Sequence, residues 1–92
     1  MNGNNTIYDS NLIYTNHANN RINERNISRH GIELTKKYGT EYIDKNSRRI
    51  TVDFEALEIA ENEGIDIMEY FLLTIVVGID GILKTAYFKD AC

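Results

Sequence analysis

Proline is absent from this 92-residue chain, and cysteine occurs once, at position 92. With no Pro-rich linker and no internal repeat, residues 1–92 read as one small domain with a modest core. Residues 1–7, rich in Asn and Gly, are expected to fray. A lone Cys92 can form neither an internal disulfide nor a thiolate cluster, and a chain without a disulfide framework is expected in the reducing cytoplasm. Metal motifs are missing too. There is no H-E-x-x-H, and His17 and His30 have no neighbouring carboxylate pattern, so no metal is expected. Neither G-x-x-x-x-G-K nor G-x-G-x-x-G occurs, which removes the glycine loops that cradle nucleotide cofactors. The longest apolar run, Tyr70 to Ile79, is about half the length a bilayer requires and reads as a buried strand, so no membrane is expected as a partner. No basic start leads into an apolar stretch and a cleavage site, so no secretion signal is expected.

Charge is unevenly placed. Residues 1–52 hold eight Lys or Arg against five Asp or Glu, whereas residues 53–92 hold two against nine, and the whole chain carries −4. An acidic chain attracts nucleic acid poorly at long range, but a local basic groove can still take a few phosphates.

Thr15 or Asn16 is placed to cap a first helix running to about Asn26, which packs through Ala18 and Ile22. Ser28 caps a second helix, with Ile27 and Ile32 at staple spacing, Lys36 and Lys37 in the last turn and Gly39 at the left-handed position past its end. Gly31, inside that helix, points to a close neighbour. Glu41 to Asp44 and Arg48 to Asp53 read as strands around Lys45-Asn46-Ser47, with Ile50, Val52 and Phe54 buried and Arg49, Thr51 and Asp53 wet. Asp53 caps an acidic helix, Phe54 to Glu63, which Gly64 ends. Its glutamates read as a solvated face. Asp80-Gly81 between two β-rich runs predicts a two-residue hairpin turn with Ile79 opposite Ile82. That register pairs Val76 with Thr85 and Thr74 with Tyr87. Thr74, Thr85 and Tyr87 then share one face, and Ile75, Val77, Ile79, Ala86 and Phe88 the other. The fold class is α+β: two N-terminal helices on an antiparallel sheet of about four strands, with an extra acidic helix between hairpins.

His17, Arg21 and Arg25 recur at four-residue steps, so on a helix they form one cationic strip beside the apolar stripe of Ala18 and Ile22. Arginine offers a permanent planar fork for phosphate oxygens, histidine moves protons near neutral pH, and a hydroxyl can position a reacting group. If the first helix packs across the final hairpin, His17, Arg21, Arg25, Thr85 and Tyr87 make a metal-free ribonuclease constellation. The alternatives are ion pairing of the two arginines with Glu55 or Glu58 and a structural hydrogen bond for His17. His30, near a helix start, reads as structural or surface.

Thr15 to Ser28 resembles the opening of the domain of unknown function 4258, typically S-x-H-A-x-x-R-M-x-x-R-G-I-S. The helix ending in Tyr38-Gly39 and the strand around Thr85-Ala86-Tyr87 are similar as well, so likeness covers residues 15–39 and about 78–88. Asn26 replaces the usual glycine, a change asparagine tolerates because it also visits left-handed conformations. The resemblance implies a small α+β domain akin to RelE-like and barnase-like ribonuclease toxins. It also implies a metal-independent endoribonuclease or toxin-like RNA-binding function, with RNA, free or ribosome-bound, and an antitoxin or other protein as partners. The rival reading is a non-catalytic protein-interaction module, associated with phage or a mobile element, that uses the acidic helix 54–63.

Overall fold

Each helix begins where a side-chain oxygen can take an otherwise unpaired amide. In the computed structural model, which describes residues 12–90, α1 is Asn16–Glu24, α2 is Arg29–Tyr38 and α3 is Phe54–Asn62. Thr15 accepts from the Ala18 amide, Ser28 from that of Gly31 and Asp53 from that of Ala56, each at 3.0 Å. The fraying expected of residues 1–7 and the terminal thiol of Cys92 lie outside the described residues.

α1 stops two residues sooner than periodicity suggests. Arg25 is its C-cap, and Asn26 takes φ 55°, the left-handed conformation. The Asn26 amide bonds to the Asn23 carbonyl at 3.2 Å and the Ile27 amide to that of Ile22 at 2.9 Å, a Schellman closure. α3 ends the same way through Gly64, φ 81°. An L-residue pays a steric cost there that glycine does not. Asn26→Gly is therefore expected to stabilise the fold by about 0.5 kcal/mol, and Asn26→Val to destabilise it by about 1–2 kcal/mol. Thermal melts of the two variants check this, and a lower transition for Asn26→Gly would refute it.

Gly39 departs from expectation. Its φ of −67° and ψ of 159° are ordinary extended values. Glycine is required there by space: a Cβ would lie 2.6 Å from both Ile50 Cγ2 and the Thr35 carbonyl oxygen. Gly31 is likewise a contact glycine, since a Cβ would meet the Tyr70 ring at 2.5 Å.

The strands are β1 Thr40–Asp44, β2 Ser47–Thr51, β3 Leu73–Gly78 and β4 Leu83–Phe88, in the order β1-β2-β3-β4 and antiparallel throughout. Lys45 and Asn46 alone join β1 to β2, because Ser47 already pairs with Asp44. A 3-10 turn, Met68–Tyr70, takes the start of the apolar run assigned to a strand, and Ile79 lies exposed in the turn beyond β3. Ile13 bridges to Ile82, tying the segment before α1 to β4.

One cluster of buried side chains joins the helices to a single face of the sheet: Ala18 and Ile22 of α1, Ile32 of α2 and Ala56 and Ala60 of α3 with Ile50, Ile75, Val77 and Ala86. Phe54, expected inside, is 76% exposed and stacks on Phe71, because it opens α3 instead of prolonging β2. Thr51, expected wet, is buried, its hydroxyl 2.9 Å from that of Thr74.

Two tyrosine–carboxylate bonds pin α2. Tyr14 donates to Glu33 Oε2 at 2.6 Å and Tyr38 to Glu63 Oε1 at 2.7 Å. Burial and then Glu33 raise the Tyr14 pKa, and the bond to Glu63 and then burial raise that of Tyr38. The unfolded chain loses these protons near pH 10 while the folded chain keeps them. Their contribution to stability is thus present below pH 10 and is lost as pH rises through the folded values. Denaturant titrations should show stability falling above pH 10, less steeply in Tyr14→Phe; equal slopes would contradict the assignment.

Candidate nucleic-acid interface

Directly paired residues of neighbouring strands point to the same side, so the register reads out the second face of the sheet row by row. One row is Thr40, Thr51, Thr74 and Tyr87, the next Tyr42, Arg49, Val76 and Thr85, and the third Asp44, Ser47 and Gly78. The helix residues of the core cluster with the opposite face. On this one Thr51, Thr74 and Val76 in the middle strands are buried, and the exposed positions lie toward the outer strands and the hairpin. Tyr42 is 58% exposed, Arg49 is exposed, and Thr85 and Tyr87 are half-buried.

The hairpin adds a lysine beside Arg49 on this face. The Gly81 amide bonds to the Gly78 carbonyl and the Gly78 amide to the Ile82 carbonyl, both at 2.9 Å, and Gly81 has φ 86°. This is a three-residue loop with a glycine bulge, not the predicted two-residue turn. It shifts the ladder by one, pairing Val77 with Leu83, and a second irregularity then returns Thr85 to Val76. Lys84 is the extra residue of that bulge. Its Nζ comes 3.5 Å from Ser47 Oγ, which places it on the open face beside Thr85.

α1 packs against β4, as the cationic strip required. From its C-cap, Arg25 donates through Nη1 to Thr85 Oγ1 at 3.1 Å and to the Ala86 carbonyl at 2.8 Å. Both partners are neutral, so the guanidinium is oriented without being neutralised, and its remaining donors stay available at the margin of the open face. Tyr87 follows two residues along, on the same side as Thr85.

The predicted residues thus divide. Arg25 and Thr85 touch, and Tyr87 shares their face. His17 is exposed and Arg21 half-buried, two turns and one turn back along the strip, and neither side chain makes a hydrogen bond or ion pair to a described residue. No ion pair joins Arg21 or Arg25 to Glu55 or Glu58; Arg48 does pair with Glu41, at 3.8 Å. His30 lies edge-to-face on Tyr70, 6.3 Å between centroids. Tyr42, Arg49 and Lys84 were missed as site residues. Strand alternation already set Arg49 apart from Ile50, but the sequence carries no sign of the bulge that turns Lys84.

Among the described residues no group of three or more His, Cys, Asp or Glu could hold a metal ion, and no helix is long and apolar enough to cross a membrane. No family model, no curated protein and no solved structure matches this chain.

Proposed function

We propose that this chain binds single-stranded RNA on the open face of its sheet, as the toxin-like RNA-binding domain that its resemblance to the domain of unknown function 4258 implies. The observation that carries the reading is Arg25, held by Thr85 and the Ala86 carbonyl at the edge of a face that also presents Arg49, Lys84, Tyr42 and Tyr87. Fixed guanidinium donors hold a phosphate, flanking cations follow the backbone, and tyrosine rings give bases a surface to stack on. The Thr85 and Tyr87 hydroxyls can bond a ribose 2′-hydroxyl, which DNA lacks.

Holding RNA is better supported than cutting it. Cleavage needs a group that takes the 2′-hydroxyl proton, and His17 has no contact with the Arg25–Thr85 pair.

The test is fluorescence anisotropy with a labelled RNA of about 12 nucleotides and the DNA of the same sequence. Saturable, RNA-preferring binding is expected, and for three cations on a single strand log K against log salt should slope at about −2. Running the same samples, and ribosome-bound messenger RNA, on a denaturing gel reports cleavage. Absence of saturable RNA binding up to about 100 μM, the weak end of the usual range of non-specific affinity, would refute the proposal.

A further inference from the structure

The last turn of α3 and the segment leading to Met68–Tyr70 enclose a groove of about 530 Å³, lined by Leu57, Glu61, Gly64, Ile65, Ile67 and Met68 with Asp66 at its margin. Ile65 and Met68 are 39% and 59% exposed, and the bare backbone of Gly64 leaves the groove open between the acids, since a Cβ there would meet nothing within 4 Å. Exposed apolar side chains in a concavity mark a contact surface, and methionine adapts its shape to what it meets.

We propose that this groove takes a basic amphipathic helix, independently of the RNA-binding reading. Three observations select that occupant. First, the charged residues of the lining are Glu61 and Asp66, and the surrounding residues 53–70 hold seven Asp or Glu and not one Lys or Arg, so this part of the chain complements a cationic partner and repels nucleic acid. Second, the groove lies at the C-terminal end of α3, whose last turn has no basic residue to offset the negative pole of the helix. Third, the local backbone is already engaged: the Gly64 amide bonds to Glu61, that of Ile65 to Ala60, and that of Met68 to the Asp66 side chain. No strand edge is on offer, so the occupant must satisfy its own amides and carbonyls, which a helix does. Apolar side chains at i, i+3 and i+4 would enter between Leu57, Ile65 and Met68, with lysine or arginine flanking them toward Glu61 and Asp66.

The probe is a labelled peptide of about 14 leucines and lysines with leucine at helical spacing, compared with a scrambled peptide of the same composition. Micromolar affinity is expected for the patterned peptide, with amide shifts centred on Leu57 and residues 65–68. Scrambling, the Glu61→Lys, Asp66→Lys double variant and Met68→Asp should each weaken it roughly tenfold or more. All three substituted side chains are exposed, and circular dichroism is run on each variant to check that it folds. Arg25→Ala should leave peptide affinity unchanged, which separates this result from the fate of the RNA reading. Equal binding of the scrambled peptide, shifts elsewhere, or unchanged affinity in the variants would overturn the proposal. So would a dimer of the chain alone that Met68→Asp dissociates, because the occupant would then be a second copy.

Discussion

An Arg25→Ala protein should bind single-stranded RNA about 30-fold more weakly than the parent, corresponding to the roughly 2 kcal/mol of a charge-assisted hydrogen bond. The slope of log K against log salt should also shrink by about 0.7, the share of one phosphate contact on a single strand. The fold should tolerate the change. Arg25 is exposed and its partners, Thr85 Oγ1 and the Ala86 carbonyl, lie at the sheet edge, so the stability cost is about 1 kcal/mol. Arg25→Lys restores the charge without the fork and should recover the salt slope but only part of the affinity. Arg21→Ala and His17→Ala, which break no side-chain bond, are expected to fall within about threefold of the parent, under 1 kcal/mol. Anisotropy titrations at several salt concentrations measure all four. Should Arg25→Ala bind as the parent does, with the same slope, the cationic strip is not a phosphate site.

Gly39→Ala is expected to destabilise the protein by about 3 kcal/mol, the upper part of the range for overpacking. The added methyl would have to fit 2.6 Å from the Thr35 carbonyl oxygen, 2.6 Å from Ile50 Cγ2 and 3.1 Å from the Thr51 carbonyl oxygen. Two of those atoms belong to the backbone of α2 and β2 and cannot turn aside. Alanine also restricts the unfolded chain, but that gain is only about 0.4–1 kcal/mol. In a domain of this size the net loss lowers Tm by about 10–20 °C. Gly64→Ala is the informative control. It has open space and the wrong φ, 81°, and should lose only about 1 kcal/mol. A Gly39→Ala melt within a few degrees of the parent would mean that the α2–β1 junction yields more readily than its contacts suggest.

The three helix starts were legible because Thr15, Ser28 and Asp53 each precede an apolar stripe, and capping is a local interaction. Asn26 was not read from periodicity, which carried the helix up to it; only the resemblance, with a glycine at that place, hinted at a left-handed residue. Gly39 was not legible either: its conformation is unexceptional, and what it must avoid, Ile50 and Thr51, comes from a strand eight or more residues on. The burial of Thr51 was equally hidden, since Thr74, which satisfies its hydroxyl, lies 23 residues away. At the site, four-residue spacing revealed the strip but not how far each member would reach. Arg25 meets Thr85 because it caps the helix where α1 crosses β4. His17, two turns back, does not. Tyr42, Arg49 and Lys84 gain their setting only when the sheet exists and the helices have taken its other side.

Thr85 and Tyr87 stand opposite Val76 and Thr74, as the two-residue turn had them, although that turn does not form. The three-residue loop displaces the register by one and the bulge at Lys84 displaces it back. Loop and bulge therefore offset each other. A single-codon insertion or deletion in either one alone would invert the rest of β4, sending Tyr87 and Thr85 toward Ile75 and bringing Ala86 to the open face. Only a double event passes unnoticed, so related chains should differ in this hairpin by both changes or by neither.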